Sequence, residues 1–96
     1  MQIKILKSAQ ADLLDGYFFY ERQKEGLGNY FIDTLFSDIE SLQLFAKRNR
    51  KVFGYYRQLS KRFPFAIYYK IENEDIVVFA VLDCRQEPKQ IENRLK

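Results

Sequence analysis

Arg62-Phe63-Pro64-Phe65-Ala66-Ile67-Tyr68-Tyr69-Lys70-Ile71 is followed, after Glu72-Asn73-Glu74, by Asp75-Ile76-Val77-Val78-Phe79-Ala80-Val81-Leu82-Asp83. Both runs are rich in β-branched and aromatic side chains, which fit a pleated surface. They predict two strands, Phe63 to Ile71 and Asp75 to Asp83, paired as a hairpin through Glu72-Asn73-Glu74. The stretch Ile76 to Leu82 is almost wholly apolar, so it is expected at the centre of a sheet with both faces covered. Pro64 has no backbone donor and belongs at a strand start, a bulge or an edge. Successive side chains alternate between faces, so of Tyr68 and Tyr69 one is expected in the core and the other free for a partner.

Upstream, Tyr55 to Leu59 reads as a further strand, preceded by a loop from Asn49 to Gly54. Before that loop the period changes to helical. Phe31, Leu35, Ile39, Leu42 and Ala46 form a stripe at steps of three and four, which predicts a helix from Asn29 to Ala46 with Asp33, Asp38 and Glu40 facing water. Glu25-Gly26-Leu27-Gly28 breaks the chain ahead of it: Gly26 is suited to the left-handed conformation, and Asn29 to capping the second helix. A first helix is expected from Ala9 to Lys24, with Ser8 as its cap and Asp12 near its positive end. Ala9, Leu13, Tyr17 and Tyr20 are expected to face inward, with Leu14 and Phe18 alongside. Gly16 costs that helix about 1 kcal/mol relative to Ala, which marks a close-packing point. Gln2 to Leu6 alternates as a short first strand, and Pro88 to Lys96 is expected to form a helical turn or two, or no fixed structure.

The resulting order is β-α-α-β-β-β, an α+β fold in which an antiparallel sheet packs against a helical hairpin. One domain, residues 1–96, accounts for the whole chain. The other sheet face is expected to stay uncovered and to form a concave surface with the basic residues. These are concentrated: Lys47, Arg48, Arg50, Lys51, Arg57, Lys61 and Arg62 occur in one stretch without a single acidic residue. That stretch carries +7 in a chain whose net charge is +3, so the remainder is mildly acidic.

At 47% hydrophobic and 17% aromatic residues, the chain has enough apolar mass to fold without a disulfide or metal. The one cysteine, Cys84, cannot form an internal disulfide, and the start of the chain lacks the apolar run of a signal peptide. No window approaches the roughly 18 apolar residues that span a bilayer, so a cytoplasmic location is expected. With no histidine, no second cysteine, no phosphate loop after a strand and no dinucleotide fingerprint, no metal and no cofactor are expected.

Several stretches in this order resemble the RelE/ParE family of bacterial toxin–antitoxin systems. They are Ala11-Asp12-Leu13, Tyr20-Glu21, Gly26-Leu27-Gly28 with Phe31, Tyr56-Arg57, the strand Lys61 to Tyr69, Val77 to Leu82, and Arg85 with Pro88. The arginine-Phe-Pro-aromatic strand is the part most similar to ParE. The resemblance implies a type II toxin bound by a cognate antitoxin that wraps it with a helical and extended segment, as a hetero-oligomer or with a homodimeric toxin. It also implies one of two activities: ribosome-dependent cleavage of mRNA in the RelE-like branch, or poisoning of DNA gyrase in the ParE-like branch.

RNA scission through the 2′-hydroxyl needs a proton acceptor, a proton donor and stabilisation of the charge on the phosphate. Where RelE-like members are expected to carry a middle-strand arginine this chain has Ala66, and no Tyr follows Tyr69 to match their late catalytic tyrosine. Arg85 alone matches a catalytic arginine. The expectation is therefore no catalytic residue and a ParE-like gyrase poison, with target binding by Lys47, Arg48, Arg50, Lys51, Arg57, Lys61, Arg62 and Arg85. The alternatives are an mRNA interferase acting on the ribosome and mRNA through Arg85, or a non-toxic member that only binds an antitoxin. Cys84 beside Arg85 reads as a plain cysteine without a base, and Glu21 as a surface residue of the first helix.

Overall fold

In the computed structural model, which describes all 96 residues, the elements are β1 (Ile3–Ile5), α1 (Lys7–Gln23), α2 (Leu27–Glu40), α3 (Leu42–Phe45), β2 (Lys51–Val52), β3 (Tyr55–Leu59), β4 (Phe65–Glu72), β5 (Asp75–Asp83) and α4 (Pro88–Leu95). A short 3₁₀ turn, Ala46–Arg48, follows α3. The sheet order is β1-β5-β4-β3-β2. From β2 to β5 the strands pair antiparallel, whereas β1 joins β5 in parallel.

The hairpin of α1 and α2 covers one face. The stripe Phe31, Leu35, Ile39, Leu42 and Ala46 is wholly buried there with Ala9, Leu13 and Tyr20 of α1. Phe65, Ile67 and Tyr69 of β4 and Ile76, Val78 and Val81 of β5 meet them from the sheet. Burying each of the larger side chains stabilises the fold by about 1.5–3 kcal/mol. Gly16 is the predicted close-packing point, since a Cβ there meets the Phe31 ring at 2.5 Å. Gly28 plays the same part opposite Tyr17, at 2.8 Å. Leu14 and Phe18, expected inward, lie on the solvent side of α1 because Gly16 turns the contact face towards Phe31.

The second helix is shorter than its stripe. It starts at Leu27 after Gly26 in the left-handed conformation (φ 88°) and breaks at Ser41, whose hydroxyl donates to the Asp38 carbonyl at 2.6 Å. A hydroxyl bonded back to its own helix competes with the ladder there. The expected Asn29 cap is replaced by Glu21, a structural residue rather than a plain surface one. Its carboxylate accepts the N–H groups of Gly26 and Gly28, at 3.1 and 2.9 Å, and so ties α1 to the start of α2. Asp38, expected in water, is buried; it accepts the Ser60 hydroxyl at 2.6 Å and holds the β3–β4 connection against α2.

Ser8 does not cap α1 either. β1 is so short that it covers only Ile76 to Val78 of β5, which leaves the rest of that strand edge without a strand partner. The first turns of α1 serve instead: Ser8 donates to the Phe79 carbonyl at 2.8 Å, and Asp12 accepts the Val81 N–H at 3.0 Å. An unpaired strand edge is thereby closed by two side chains. Part of the predicted Asn49–Gly54 loop is the strand β2, returning to β3 through Phe53 and Gly54, both at positive φ. That backbone matches the twist of a two-residue hairpin.

Candidate functional site

The second sheet face is not left open as expected, because α4 lies across part of it. Ile91 and Leu95 pack on Ala66, Tyr68, Ala80 and Leu82. Arg94 fastens the helix by a bidentate pair with Asp12, at 2.7 and 2.8 Å. Tyr68 and Tyr69 do point to opposite faces, yet both are buried, Tyr69 under the hairpin and Tyr68 under α4. Neither is free for a partner.

Beyond the reach of α4, at the β3 edge, the sheet carries an open groove of about 480 Å³ lined by Arg48, Asn49, Arg50, Val52, Arg57, Gln58 and Leu59. Its floor is held by a chain of hydrogen bonds. The Tyr69 phenol donates to the Ala46 carbonyl at 2.6 Å and accepts from the Asn49 amide at 2.8 Å, and that amide also donates to Gln58 at 2.8 Å. Asn49 thus fixes the chain between Arg48 and Arg50. The Arg57 N–H donates to the Arg50 carbonyl at 3.0 Å, so two of the arginines spring from paired backbone.

Arg57 stands opposite Tyr68 in the β3–β4 register and sends its guanidinium to the α4 side of the sheet. One terminal nitrogen lies 3.7 Å from the Cys84 thiol, while its buried Nε has no hydrogen-bond partner. Burial pushes the Tyr68 phenol above its ordinary range, and the nearby Arg57 charge only partly draws it back. A phenol held protonated beside a guanidinium is no proton acceptor near neutral pH.

The predicted binding residues do not form one surface. Arg48, Arg50 and Arg57 share the groove. Lys61 and Arg62 line a different depression with Asp33 and Asp38, and Arg62 donates to the Tyr30 hydroxyl at 2.7 Å. Lys47 lies near Glu74 and Asp75, and Lys51 lies with Lys70 and Glu72 and stacks on Tyr56 at 5.0 Å. Arg85 belongs to neither group. It clamps Asp83 through two side-chain bonds at 3.0 and 2.7 Å, adds its backbone N–H at 2.8 Å, and sits close to the Tyr20 phenol. The Arg85 hydrogen bonds hold the Asp83 carboxyl below its ordinary range.

Two features escaped the sequence. One is the Arg57–Tyr68–Cys84 contact, whose members are far apart in the chain. The other is the exposed row Leu14, Phe18 and Phe19 on α1, beside an open depression that also touches Phe65 and Leu82. Too many apolar residues for the inward stripe was the signal available for the second. No three His, Cys, Asp or Glu side chains come together as a metal site, and no helix is long and apolar enough to cross a membrane.

The family model described as "ParE toxin of type II toxin-antitoxin system, parDE" matches residues 3–88. No curated protein matches the chain. Among solved structures, a chain of the "Chromosomal ParDE TA system from P. aeruginosa" has the same fold, with a TM-score of 0.73 and 21% sequence identity over 84% of this chain and 92% of that chain. The β-α-α-β-β-β order, the Phe-Pro-aromatic strand and the family match agree, and the chain belongs to the ParE toxins of type II toxin–antitoxin systems, within the RelE/ParE superfamily.

Proposed function

We propose that this toxin harms the cell by attachment, poisoning DNA gyrase at work on DNA so that strand breaks persist. The observation that carries the reading is the state of Arg85, the one residue matched to a catalytic arginine of the nuclease branch. One edge of its guanidinium is held by both Asp83 oxygens, which compete with a scissile phosphate for the same donors. Two further features support it: Ala66 is completely buried at the position of the missing arginine, and Tyr68 is sealed under α4 with its proton retained. In a reaction of purified toxin with gyrase, ATP and supercoiled plasmid, linear DNA is expected after detergent and protease treatment. Unchanged supercoiling at high toxin, together with new transcript ends inside codons on translating ribosomes, would replace this reading with mRNA cleavage through Arg85.

As a type II toxin the protein has a cognate antitoxin. We assign the exposed row Leu14, Phe18 and Phe19 to it, because apolar side chains clustered beside an open depression are the surface that a helical or extended apolar segment covers. Phe18→Asp is expected to abolish co-purification with the antitoxin while leaving the thermal transition in place. Retained co-purification of that variant moves the antitoxin to another face.

A further inference from the structure

We infer that the groove lined by Arg48, Arg50 and Arg57 is a phosphodiester site that grips a nucleic-acid backbone, and that the other basic residues of the same stretch do not share this role. The inference deepens the gyrase reading, since the DNA on which gyrase acts is the backbone it would meet, and it rests on that reading only for the identity of that DNA.

Three observations lead there. First, no carboxylate lines this groove, whereas acidic residues stand in the depressions that hold Lys61 and Arg62, Lys47, and Lys51. Arg85 forms an ion pair with Asp83. Each of the other candidate cations thus has a carboxylate in its depression or bonded to it, and the three of this groove have none. Secondly, the guanidinium of Arg57 is only partly satisfied. It lies 3.7 Å from the Cys84 thiol and beside the Tyr68 phenol, and its buried Nε has no acceptor. A buried donor without an acceptor is uncommon, and an oxyanion entering the groove supplies acceptors to the same guanidinium. Thirdly, the groove is held in shape before any ligand arrives. The Ala46–Tyr69–Asn49–Gln58 bonds fix the backbone between Arg48 and Arg50, and the Arg57–Arg50 backbone bond fixes the third arginine. A site already in place loses little freedom on binding.

The ligand class follows from the charges. One carboxylate of a protein partner would answer one of three guanidinium groups. A nucleic-acid strand carries a phosphate about every 3.4 Å of helix axis and answers them in series. Planar forks with several donors also match phosphate oxygens better than a lysine does.

The test is binding of a short fluorescent DNA duplex of arbitrary sequence to purified toxin, followed by anisotropy over a range of salt. Three neutralised phosphates give log affinity a slope of about −2.7 against log salt. R48Q/R50Q, which changes two exposed side chains, is expected to lower the slope by about 1.8, and Arg57→Gln by a further 0.9 or so. K61Q/R62Q is expected to leave affinity within about twofold, because those residues lie outside the groove. Thermal melting of each variant guards against misfolding, and R48Q/R50Q keeps the test open should Arg57→Gln unfold. Wild-type toxin without salt-dependent DNA binding overturns the site, as does R48Q/R50Q with unchanged affinity and slope. If R48Q/R50Q loses gyrase poisoning while wild-type toxin fails to bind DNA, the groove meets an acidic protein surface and the nucleic-acid assignment falls. DNA binding lost with the groove arginines, in a toxin that leaves gyrase untouched, upholds the site and removes gyrase alone.

Discussion

Toward the hairpin the sheet contributes to a cluster of fifteen mutually packed buried residues, whereas toward α4 the corresponding cluster holds six. The larger face is closed by aromatic packing in which Tyr20, Phe31, Phe63 and Phe65 touch one another at ring separations near 5 to 6 Å. The smaller face is closed by one helix of eight residues, which leaves the β3 edge beyond it open; the arginine groove lies at that edge, with Arg57 on the α4 side and Gln58 on the hairpin side. One face therefore carries the stability of the fold, and the sparser cover of the other leaves an edge open to a ligand. A toxin that acts by attachment is expected to divide its sheet in this way, because a fully packed face has no surface left to offer.

The sharpest way to break that comparison is truncation on each side. Phe31→Ala on the hairpin face is expected to cost about 3–5 kcal/mol in urea unfolding, and Leu95→Ala on the α4 face about 2 kcal/mol. Equal costs would mean that the two faces contribute alike. Next in size is the junction at Asp12, which accepts the Val81 N–H and also holds Arg94. Asp12→Ala leaves a strand donor unanswered and is expected to cost about 1–3 kcal/mol. Arg94→Ala removes only the surface half of the junction and should cost about 1 kcal/mol or less. If the two variants melt together, Asp12 acts only through α4.

The smallest effect concerns Asp83 and Arg85. Hydrogen bonds from Arg85 hold the Asp83 carboxyl below its ordinary value of 3.8. The sign follows from linkage: the unfolded chain takes up this proton first as pH falls, so the stabilisation is complete above about 4 and is lost through the lowered value. Arg85 is mostly exposed, so the whole contribution is at most about 1 kcal/mol. Arg85→Gln is expected to cost up to about 1 kcal/mol near neutrality, a difference from wild type that closes as pH falls below that point, so that the acid limb of the stability–pH curve flattens. A large loss at neutral pH would make Arg85 part of the core rather than a clamp on one carboxylate.

Local patterns carried much of the architecture. The stripe from Phe31 to Ala46, the left-handed Gly26, the tight contact at Gly16 and the hairpin through Asn73 all depend on neighbours within a few turns or one reversal. Each was legible because the period of a helix or strand is written into consecutive residues. The site was less legible. Charge density marked the stretch from Lys47 to Arg62, yet density does not distinguish Arg57, which reaches Cys84, from Arg62, which reaches Tyr30. Those pairings are set by which elements lie next to each other.

What the amino-acid order determined alone is the order of the longer elements, the inward face of α2 and the absence of imidazole chemistry. Each is a property of residue type and spacing. Only the tertiary structure decided that α4 covers Tyr68, that Ser8 and Asp12 stand in for a missing strand beside β5, and that three of eight candidate cations converge. Apart from the neighbours Arg48 and Arg50, these contacts join residues from 7 to 82 positions apart, and no local period encodes a meeting between side chains so separated. Packing brings them together, because burying the apolar faces leaves the polar atoms only a few places in which to find partners.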